Sequence, residues 1–336
     1  MNNDRIQEIL DLMEEARLDY FLISDPQSIA YCTGYYNDPH ERMFVFMVSK
    51  HGNHTLFMND LFYLEHDLDV NIVWHKDGQD AIQTIVDEMH FPGRIGIDKN
   101  WASHFLLDLM KKLPAAKYIN ASPCVDLVRM KKDLQEQVLM IESSKINDAV
   151  MEEIIPFIQE GVTEKQLAKK LDELFFNHHS TCYGAIVAFG KNAADPHHEN
   201  DDTPLRKGDC VLIDMGCVYK GYCSDMTRTF FYEGILEEEI KVYEIVKKAN
   251  EAAEAMIKPG VKLSDIDKCA RKVISDEGYG KYFTHRLGHF IGRDVHEYGD
   301  VSSVNEMEVE EGMIFSIEPG IYLEGNFGVR VEDLVM

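Results

Sequence analysis

Positive charge is what this chain is short of. Its 336 residues carry 34 Lys and Arg against 59 Asp and Glu, a net charge of −25. That balance argues against nucleic acid and against anionic membrane surfaces as partners, since both would repel it. Long apolar runs are also missing: the longest, Met43–Val48, is far below the roughly 18–20 residues of a membrane-spanning helix. The amino terminus, MNNDRIQEILDLMEE, has neither the basic nor the apolar region of a secretory signal. Seven cysteines (Cys32, Cys124, Cys182, Cys210, Cys217, Cys223 and Cys269) are scattered, odd in number and never spaced CxxC, as free thiols in a reducing compartment are. A cytoplasmic protein with no nucleic-acid or membrane partner is expected.

Familiar catalytic signatures are absent as well. The chain holds no HExxH, no GxSxG, no Walker-type loop and no GxGxxG after a strand, which removes the commonest zinc, serine-nucleophile and nucleotide sites. With 45% hydrophobic and 28% charged residues the composition is that of an ordinary globular protein, long enough for two cores.

Residues 1–120 alternate helical and strand patterns. Ile6, Ile9, Leu10 and Met13 recur at helical spacing, followed by β-rich runs at Tyr20–Ile23, Met43–Val48, Thr55–Met58 and Ile72–Trp74. Helix is predicted at Ala81–Met89 and His104–Lys112, with a strand at Arg94–Ile97. This rhythm predicts an α/β domain, ending at 122 before Pro123. Lys131–Asp133 opens a long helical stretch to about Ile158. Beyond it, helices at Glu164–Asn177, Glu237–Ile257 and Ser264–Asp276 interleave with strands at Ala185–Phe189, Val211–Met215, Cys223–Phe231, Met313–Ile317 and Gly328–Val335. Hairpins join most of these strands, so 123–336 reads as α+β.

Four acids stand inside otherwise apolar strands. Asp214 and Asp225 flank Tyr219–Lys220–Gly221, and a hairpin centred between Tyr219 and Lys220 would set them opposite one another. Glu318 and Glu332 flank Gly325–Asn326, and a hairpin centred on Gly325 does the same for them. Directly paired residues have Cβ atoms about 4.5–5.5 Å apart. One such acid would most simply be an edge residue facing water. Two hairpins each presenting a pair are different, because facing like charges in apolar surroundings need a compensating cation. Four carboxylates balance two divalent ions. The segment from Thr284 to Glu297 adds His285, His289 and His296 with intervening glycines. One imidazole with four hard oxygens suits Mn²⁺, Co²⁺, Fe²⁺ or Zn²⁺ pairs rather than a structural zinc, which would want thiolates. Two such ions ionise a shared water and polarise a carbonyl, so hydrolysis fits best.

At these residues the chain resembles the metal-dependent "pita-bread" peptidases, the family of methionine aminopeptidase, aminopeptidase P and prolidase. The resemblance covers roughly residues 130–336 through IVAFGKNAADPHHE, LIDMGCVYKGYCSDMTRTF, THRLGHFIGRDVHE, GMIFSIEPGIY and GVRVED in family order. SDPQSIAYCTGYYNDPHER resembles the smaller creatinase-like domain of bacterial Xaa-Pro dipeptidases (prolidases). It implies an α/β creatinase-like domain (1–122) and an α+β pita-bread catalytic domain (123–336). It further implies two divalent ions, Mn²⁺ first with Co²⁺ or Zn²⁺ as alternatives, on Asp214, Asp225, His289, Glu318 and Glu332. Glu318 would also be the general base, His197 and His296 would bind substrate and stabilise the tetrahedral intermediate, and His285 would be a further active-site histidine. Arg330, two residues before Glu332, would border the ions. The implied reaction is hydrolysis of Xaa-Pro dipeptides in a homodimer.

Two departures stand out. Most relatives carry an apolar residue where this chain has Arg293, whose partner would be the substrate carboxylate, Asp294, or acids of the Asp38–Arg42 loop arriving from the partner subunit. A carboxylate clamp of His197 with an arginine is expected. The chain also stops at Met336, within the apolar stretch Val329–Met336, where relatives continue, so truncation is an expectation. Aminopeptidase P-type removal of the residue before proline from longer peptides is the alternative activity. A non-catalytic pita-bread binding module is a distant one.

Overall fold

The computed structural model describes residues 1–64, 67–90 and 92–336, and the chain divides into two compact units, Met1–Arg129 and Met130–Met336. The division follows Arg129 rather than residue 122 because Pro123 starts a helix instead of breaking the chain. Proline is tolerated in a first helical turn, and Cys124, Val125 and Val128 of that helix are buried in the first unit's core.

The first unit runs α1 (Asn3–Glu15), β1 (Tyr20–Ile23), α2 (Pro26–Thr33), β2 (Val45–Ser49), β3 (Thr55–Asn59), β4 (Asn71–His75), α3 (Ala81–Glu88), β5 (Arg94–Ile97), α4 (Ser103–Lys112), β6 (Lys117–Asn120) and α5 (Pro123–Met130). Its strands form one mixed sheet in the order β4-β3-β2-β1-β5-β6. Side chains alternate along each strand, and here both faces are covered. Phe21, Ile23, Phe46 and Val48 pack with Ile6 and Ile9 of α1. Tyr20, Leu22, Val45 and Met47 pack with Ile82 and Ile85 of α3 and Leu109 of α4. The expected α/β architecture is what forms. In the Asp38–Arg42 loop, Arg42 forks onto Asp77 through two 3.0 Å bonds.

The second unit opens with α6 (Leu134–Ile154), whose first turn is held by a capping box of Asp133 and Glu136. It continues through α7 (Glu164–Asn177), β7 (Thr181–Cys182), β8 (Ile186–Phe189), β9 (Cys210–Met215), β10 (Cys217–Tyr219), β11 (Tyr222–Cys223), β12 (Met226–Phe231), α8 (Glu237–Glu254), α9 (Leu263–Asp276), β13 (Gly288–His289), β14 (Asp300–Val301), β15 (Phe315–Ile317), β16 (Gly320–Leu323), β17 (Phe327–Arg330) and β18 (Asp333–Val335). Helices and mostly antiparallel strands are interleaved, the α+β arrangement expected of this part of the chain. Val187, Phe189, Val211 and Ile213 bury one face of the β8–β9–β12 sheet against Leu167, Leu171 and Phe175 of α7. Among the described residues no helix is long and apolar enough to cross a membrane.

Register decides where the acids go. The second hairpin is centred on Gly325 as expected, pairing Gly320 with Arg330 and Leu323 with Phe327. The same register continues in β15–β18, where Ile317 meets Asp333, so Glu318 and Glu332 stand across from each other. The first hairpin corrects the expectation: Asp214 pairs with Thr227, and Tyr219 with Tyr222. Its turn is Lys220–Gly221, with positive φ at both residues (49° and 83°), as a tight type I′ turn requires. Asp225 is therefore diagonal to Asp214 rather than opposite. A two-residue change of partner keeps the same face, so the acids still converge.

Lysine pays a steric penalty at positive φ that asparagine largely avoids, and alanine is strained where Gly221 sits. Lys220→Asn is expected to leave stability unchanged or raise it, and Gly221→Ala to lower it by about 1 kcal/mol. Urea unfolding of the two variants beside the wild type reads both signs.

Candidate metal centre

Thr227 is the knot between the two hairpins. It faces Asp214 in the β9–β12 ladder, and its hydroxyl donates to Glu332 Oε2 at 2.7 Å. Its carbonyl accepts from the Glu332 amide at 3.1 Å. This pull interrupts the strand expected over Gly328–Val335 between β17 and β18. Arg228 reinforces it by donating to the Glu332 carbonyl at 2.6 Å and to Asp333 at 2.7 Å.

His289 enters from β13. The chain passes so close to β15 that a Cβ at Gly288 would lie 1.8 Å from the Ser316 carbonyl oxygen, so only glycine fits there. The Ser316 hydroxyl accepts from the His289 amide at 3.0 Å and donates to Glu318 Oε1 at 3.1 Å. His289 Nδ1 faces the Phe290 carbonyl at 3.2 Å, which sets it as the protonated nitrogen and leaves Nε2 with a free lone pair. That Nε2 lies 3.5 Å from Asp225 Oδ2 and 3.5 Å from Glu318 Oε1. One atom each from Asp225, His289 and Glu332 fall within 4.8 Å of one another. Glu332 Oε1 is buried and has no hydrogen-bond partner.

The electrostatics match that geometry. Burial, and then the charge of Asp214, push the Asp225 carboxyl well above its ordinary range. Burial and then Asp225 do the same to Glu332. Burial and then Glu332 carry Glu318 up to about 8. Burial opposes a charge on Arg330, yet Tyr322 and Asp214 beside it keep it firmly charged. One guanidinium cannot neutralise four carboxyls. A partnerless buried oxygen, a bare imidazole lone pair and acids driven toward protonation are what an oxygen-rich divalent-cation site needs filled, so these residues fit the metals expected of them.

The centre opens into a cavity of about 420 Å³ lined also by His197, His285, His296 and Arg330. His285 is fixed by Tyr322 Oη at 2.8 Å and the Arg286 carbonyl at 2.7 Å. The His296 ring stands 4.3 Å from that of His289. Burial holds both His285 and His296 down at about 4, so they are neutral at pH 7. Arg330 donates to Asp214 Oδ2 at 2.5 Å, Thr227 Oγ1 at 3.0 Å and Tyr322 Oη at 3.0 Å. Arg293 is not among the cavity-lining residues. Its guanidinium lies 5.3 Å from the centroid of the Tyr222 ring, because Glu297 Oε1 takes the Arg293 amide at 2.9 Å and folds the loop back on itself. Residues the sequence did not single out are Tyr183, whose hydroxyl donates to the Ser224 carbonyl at 2.8 Å beside Asp225, Tyr322, Thr227 and Arg286.

A second Glu-His-Asp group, Glu164, His198 and Asp201, has a different character. Glu164 accepts from the Phe189 amide (2.8 Å), Asn192 (2.9 Å) and the Asp201 amide (3.0 Å), and pairs with His198 Nε2 (2.7 Å). With its oxygens satisfied it is a structural hub that holds the Asp195–His198 turn.

Comparison with known proteins matches residues 138–336 to metallopeptidase family M24 and residues 5–131 to the creatinase/prolidase N-terminal domain. An uncharacterized peptidase of Staphylococcus aureus (strain bovine RF122 / ET3-1) is 34% identical over 341 residues, spanning 99% of this chain and 95% of that protein. The prolidase of Thermococcus sibiricus superposes with a TM-score of 0.94 at 34% identity, over 100% of this chain and 94% of the other. A dipeptidase of Pyrococcus horikoshii OT3 gives 0.91 at 36% identity, over 99% and 94%.

A carboxyl raised on folding stabilises the protein below its unfolded value and loses that contribution as pH climbs through its folded value. For Glu318 the window is 4.5 to about 8. The depressed histidines act in the opposite sense but only below 6.5. Between pH 6.5 and 8.5, protein freed of metal with EDTA is therefore expected to lose thermal stability that Mn²⁺-loaded protein retains, by roughly 3 °C or more. Calorimetry at the two pH values, with and without metal, measures it.

Proposed function

The chain belongs to metallopeptidase family M24, with a creatinase/prolidase N-terminal domain, and from that premise we propose that it hydrolyses Xaa-Pro dipeptides to an amino acid and proline. Asp214, Asp225, His289, Glu318 and Glu332 would hold two divalent ions, with Mn²⁺ first and Co²⁺ or Zn²⁺ as alternatives. The observation that carries the reading is the acid quartet beside His289, with Asp225 and Glu332 buried, Asp214 and Glu318 half-buried and Glu332 Oε1 partnerless, lining a cavity of about 420 Å³. Bound there, such ions lower the pKa of a water and polarise a carbonyl.

The chain's own groups supply the rest. Glu318 takes the proton of the attacking water and delivers it to the proline nitrogen, which has no N–H of its own in the substrate. His296 and His197, neighbours on the cavity wall, donate to the scissile oxygen as charge develops on it. Ile186, Pro196 and Val295 give an apolar surface for the pyrrolidine ring. Arg330 keeps Asp214 in place and Thr227 orients Glu332, so neither carboxylate is free to rotate. We place the enzyme in the cytoplasm as a homodimer.

Leu-Pro, Phe-Pro, Arg-Pro and Asp-Pro, run with Mn²⁺, Zn²⁺ and Co²⁺ beside non-proline dipeptides, test the reading. Cleavage confined to the proline dipeptides is expected. Equal or faster turnover of Leu-Pro-Pro would instead assign an aminopeptidase P-type activity, and no bound metal with no turnover would leave a binding module. Glu318→Gln is expected to lower kcat by roughly 100- to 10,000-fold, checked by steady-state kinetics.

A further inference from the structure

His296 is placed by the loop that carries it. Its ring lines the cavity and stands 4.3 Å from that of His289, yet among the described residues it enters no hydrogen bond or ion pair. His285, by contrast, is held at both ring nitrogens. The anchor for His296 is the residue that follows it. Glu297 donates its amide to the Phe290 carbonyl at 2.9 Å. Its Oε1 accepts from the Arg293 amide at 2.9 Å, and its Oε2 from Lys132 Nζ at 3.0 Å. The lysine and glutamate side chains of this pair are only 1% and 5% exposed. Lys132 is itself fixed where the chain enters α6. Its amide donates to the Gly312 carbonyl at 2.7 Å, its carbonyl accepts from Gln137 at 2.8 Å, and the Asp133–Glu136 capping box follows at once. Gly292 makes room for the carboxylate: a Cβ there would lie 2.7 Å from both Glu297 oxygens.

We infer that the buried Lys132–Glu297 pair is a positioning device for His296, fixing how that imidazole stands beside the metal centre and so how well it donates to the scissile oxygen; this rests on the Xaa-Pro reading above. Stability gives little account of the pair. Two charges taken out of water regain little more than they lose, and apolar residues of similar volume often do as well. Geometry gives a better one. A carboxylate held by an ammonium on one oxygen and by an amide of its own loop on the other cannot turn, and the Glu297 amide adds a third fixed point. His296 is the next residue along, with no other hold on its ring. Roughly 1 Å of misplacement in a reacting geometry can cost on the order of 100-fold in rate. A pair that never touches the substrate can therefore govern the rate. Lys132 and Glu297 are positioning residues, and their loss should be felt in kcat far more than in KM.

The test uses two perturbations of the anchor. Lys132→Met/Glu297→Gln removes both charges and leaves neither buried alone, while Gly292→Ala displaces the carboxylate without changing any charge. Crystal structures read the His289–His296 ring separation, expected to change from 4.3 Å by about 1 Å. For Leu-Pro with Mn²⁺, kcat is expected to fall roughly tenfold or more in both, with KM and bound Mn²⁺ per chain within about twofold of wild type. Added to His296→Ala, the Lys132→Met/Glu297→Gln change should lower kcat by no more than about twofold further, because residues acting through one group are not additive. Should the paired variant not fold, Gly292→Ala supplies the same readouts, alone and with His296→Ala. An unchanged ring separation, a kcat within about twofold of wild type, or a full loss repeated on top of His296→Ala overturns the assignment. A wild type that hydrolyses no Xaa-Pro substrate with Mn²⁺, Co²⁺ or Zn²⁺ overturns the proposed function and the rate effect with it, and the ring separation then decides the placement of His296 by itself.

Discussion

The desolvation of carboxylates gathered in one place, with their mutual repulsion added to it, is the constraint on which the catalytic unit turns. Glu318 alone is displaced from 4.5 to about 8, and at about 1.4 kcal/mol per pH unit that is on the order of 5 kcal/mol withheld from its ionised form. Asp225 and Glu332 are displaced in the same direction. A fold optimised for stability alone would not gather these groups, so the surrounding architecture serves to hold them together. Thr227 ties the hairpins at the point of greatest repulsion. Arg330 offsets part of the charge, and Gly288 lets β13 approach closely enough to bring in an imidazole.

How much of this was legible in the sequence follows from how local each signal is. The Gly325 hairpin and its facing glutamates could be read because an apolar strand, a glycine turn and a second apolar strand lie within twenty residues. The Lys220–Gly221 turn was misplaced because lysine seldom occupies a positive-φ position, so a tight two-residue turn left no clear mark. The misreading did not scatter the site, since partners exchanged in steps of two stay on one face. The sequence sets the first domain's end before Pro123 because it cannot distinguish a helix-initiating proline from a helix-ending one without knowing what Val125 and Val128 pack against.

What escaped the sequence was contact between distant segments. Arg293 and Arg286 lie on either side of His289 at similar distances along the chain, and composition gives no reason to prefer one. The path of the loop decides. Glu297 bonds back to the Arg293 amide and the Phe290 carbonyl, which turns Val295 and His296 toward the cavity and leaves Arg293 over Tyr222. Its carboxylate is held by Lys132 at 3.0 Å, 165 residues earlier in the chain. Tyr322 and Tyr183 escaped for the same reason, their hydroxyls being assigned by partners remote in sequence.

The two Glu-His-Asp groups of the second unit show why residue identity alone does not make a metal site. Glu164, His198 and Asp201 have the same chemistry as Glu332, His289 and Asp225 and gather as closely. The difference lies in the donors around them. At Glu164, amides of Phe189 and Asp201, the Asn192 side chain and His198 reach both oxygens, so the carboxylate is solvated by the protein and a cation would have to displace hydrogen bonds already made. At Glu332 one oxygen has the Thr227 hydroxyl and the other has nothing, while the imidazole beside it keeps its lone pair exposed. An unsatisfied acceptor in a buried setting costs about 1–3 kcal/mol, more when charged, and that cost is what a cation bound there would remove. The distribution of N–H donors, more than the ligand types, separates a centre with an acceptor left open for a cation from a hub whose acceptors are already taken.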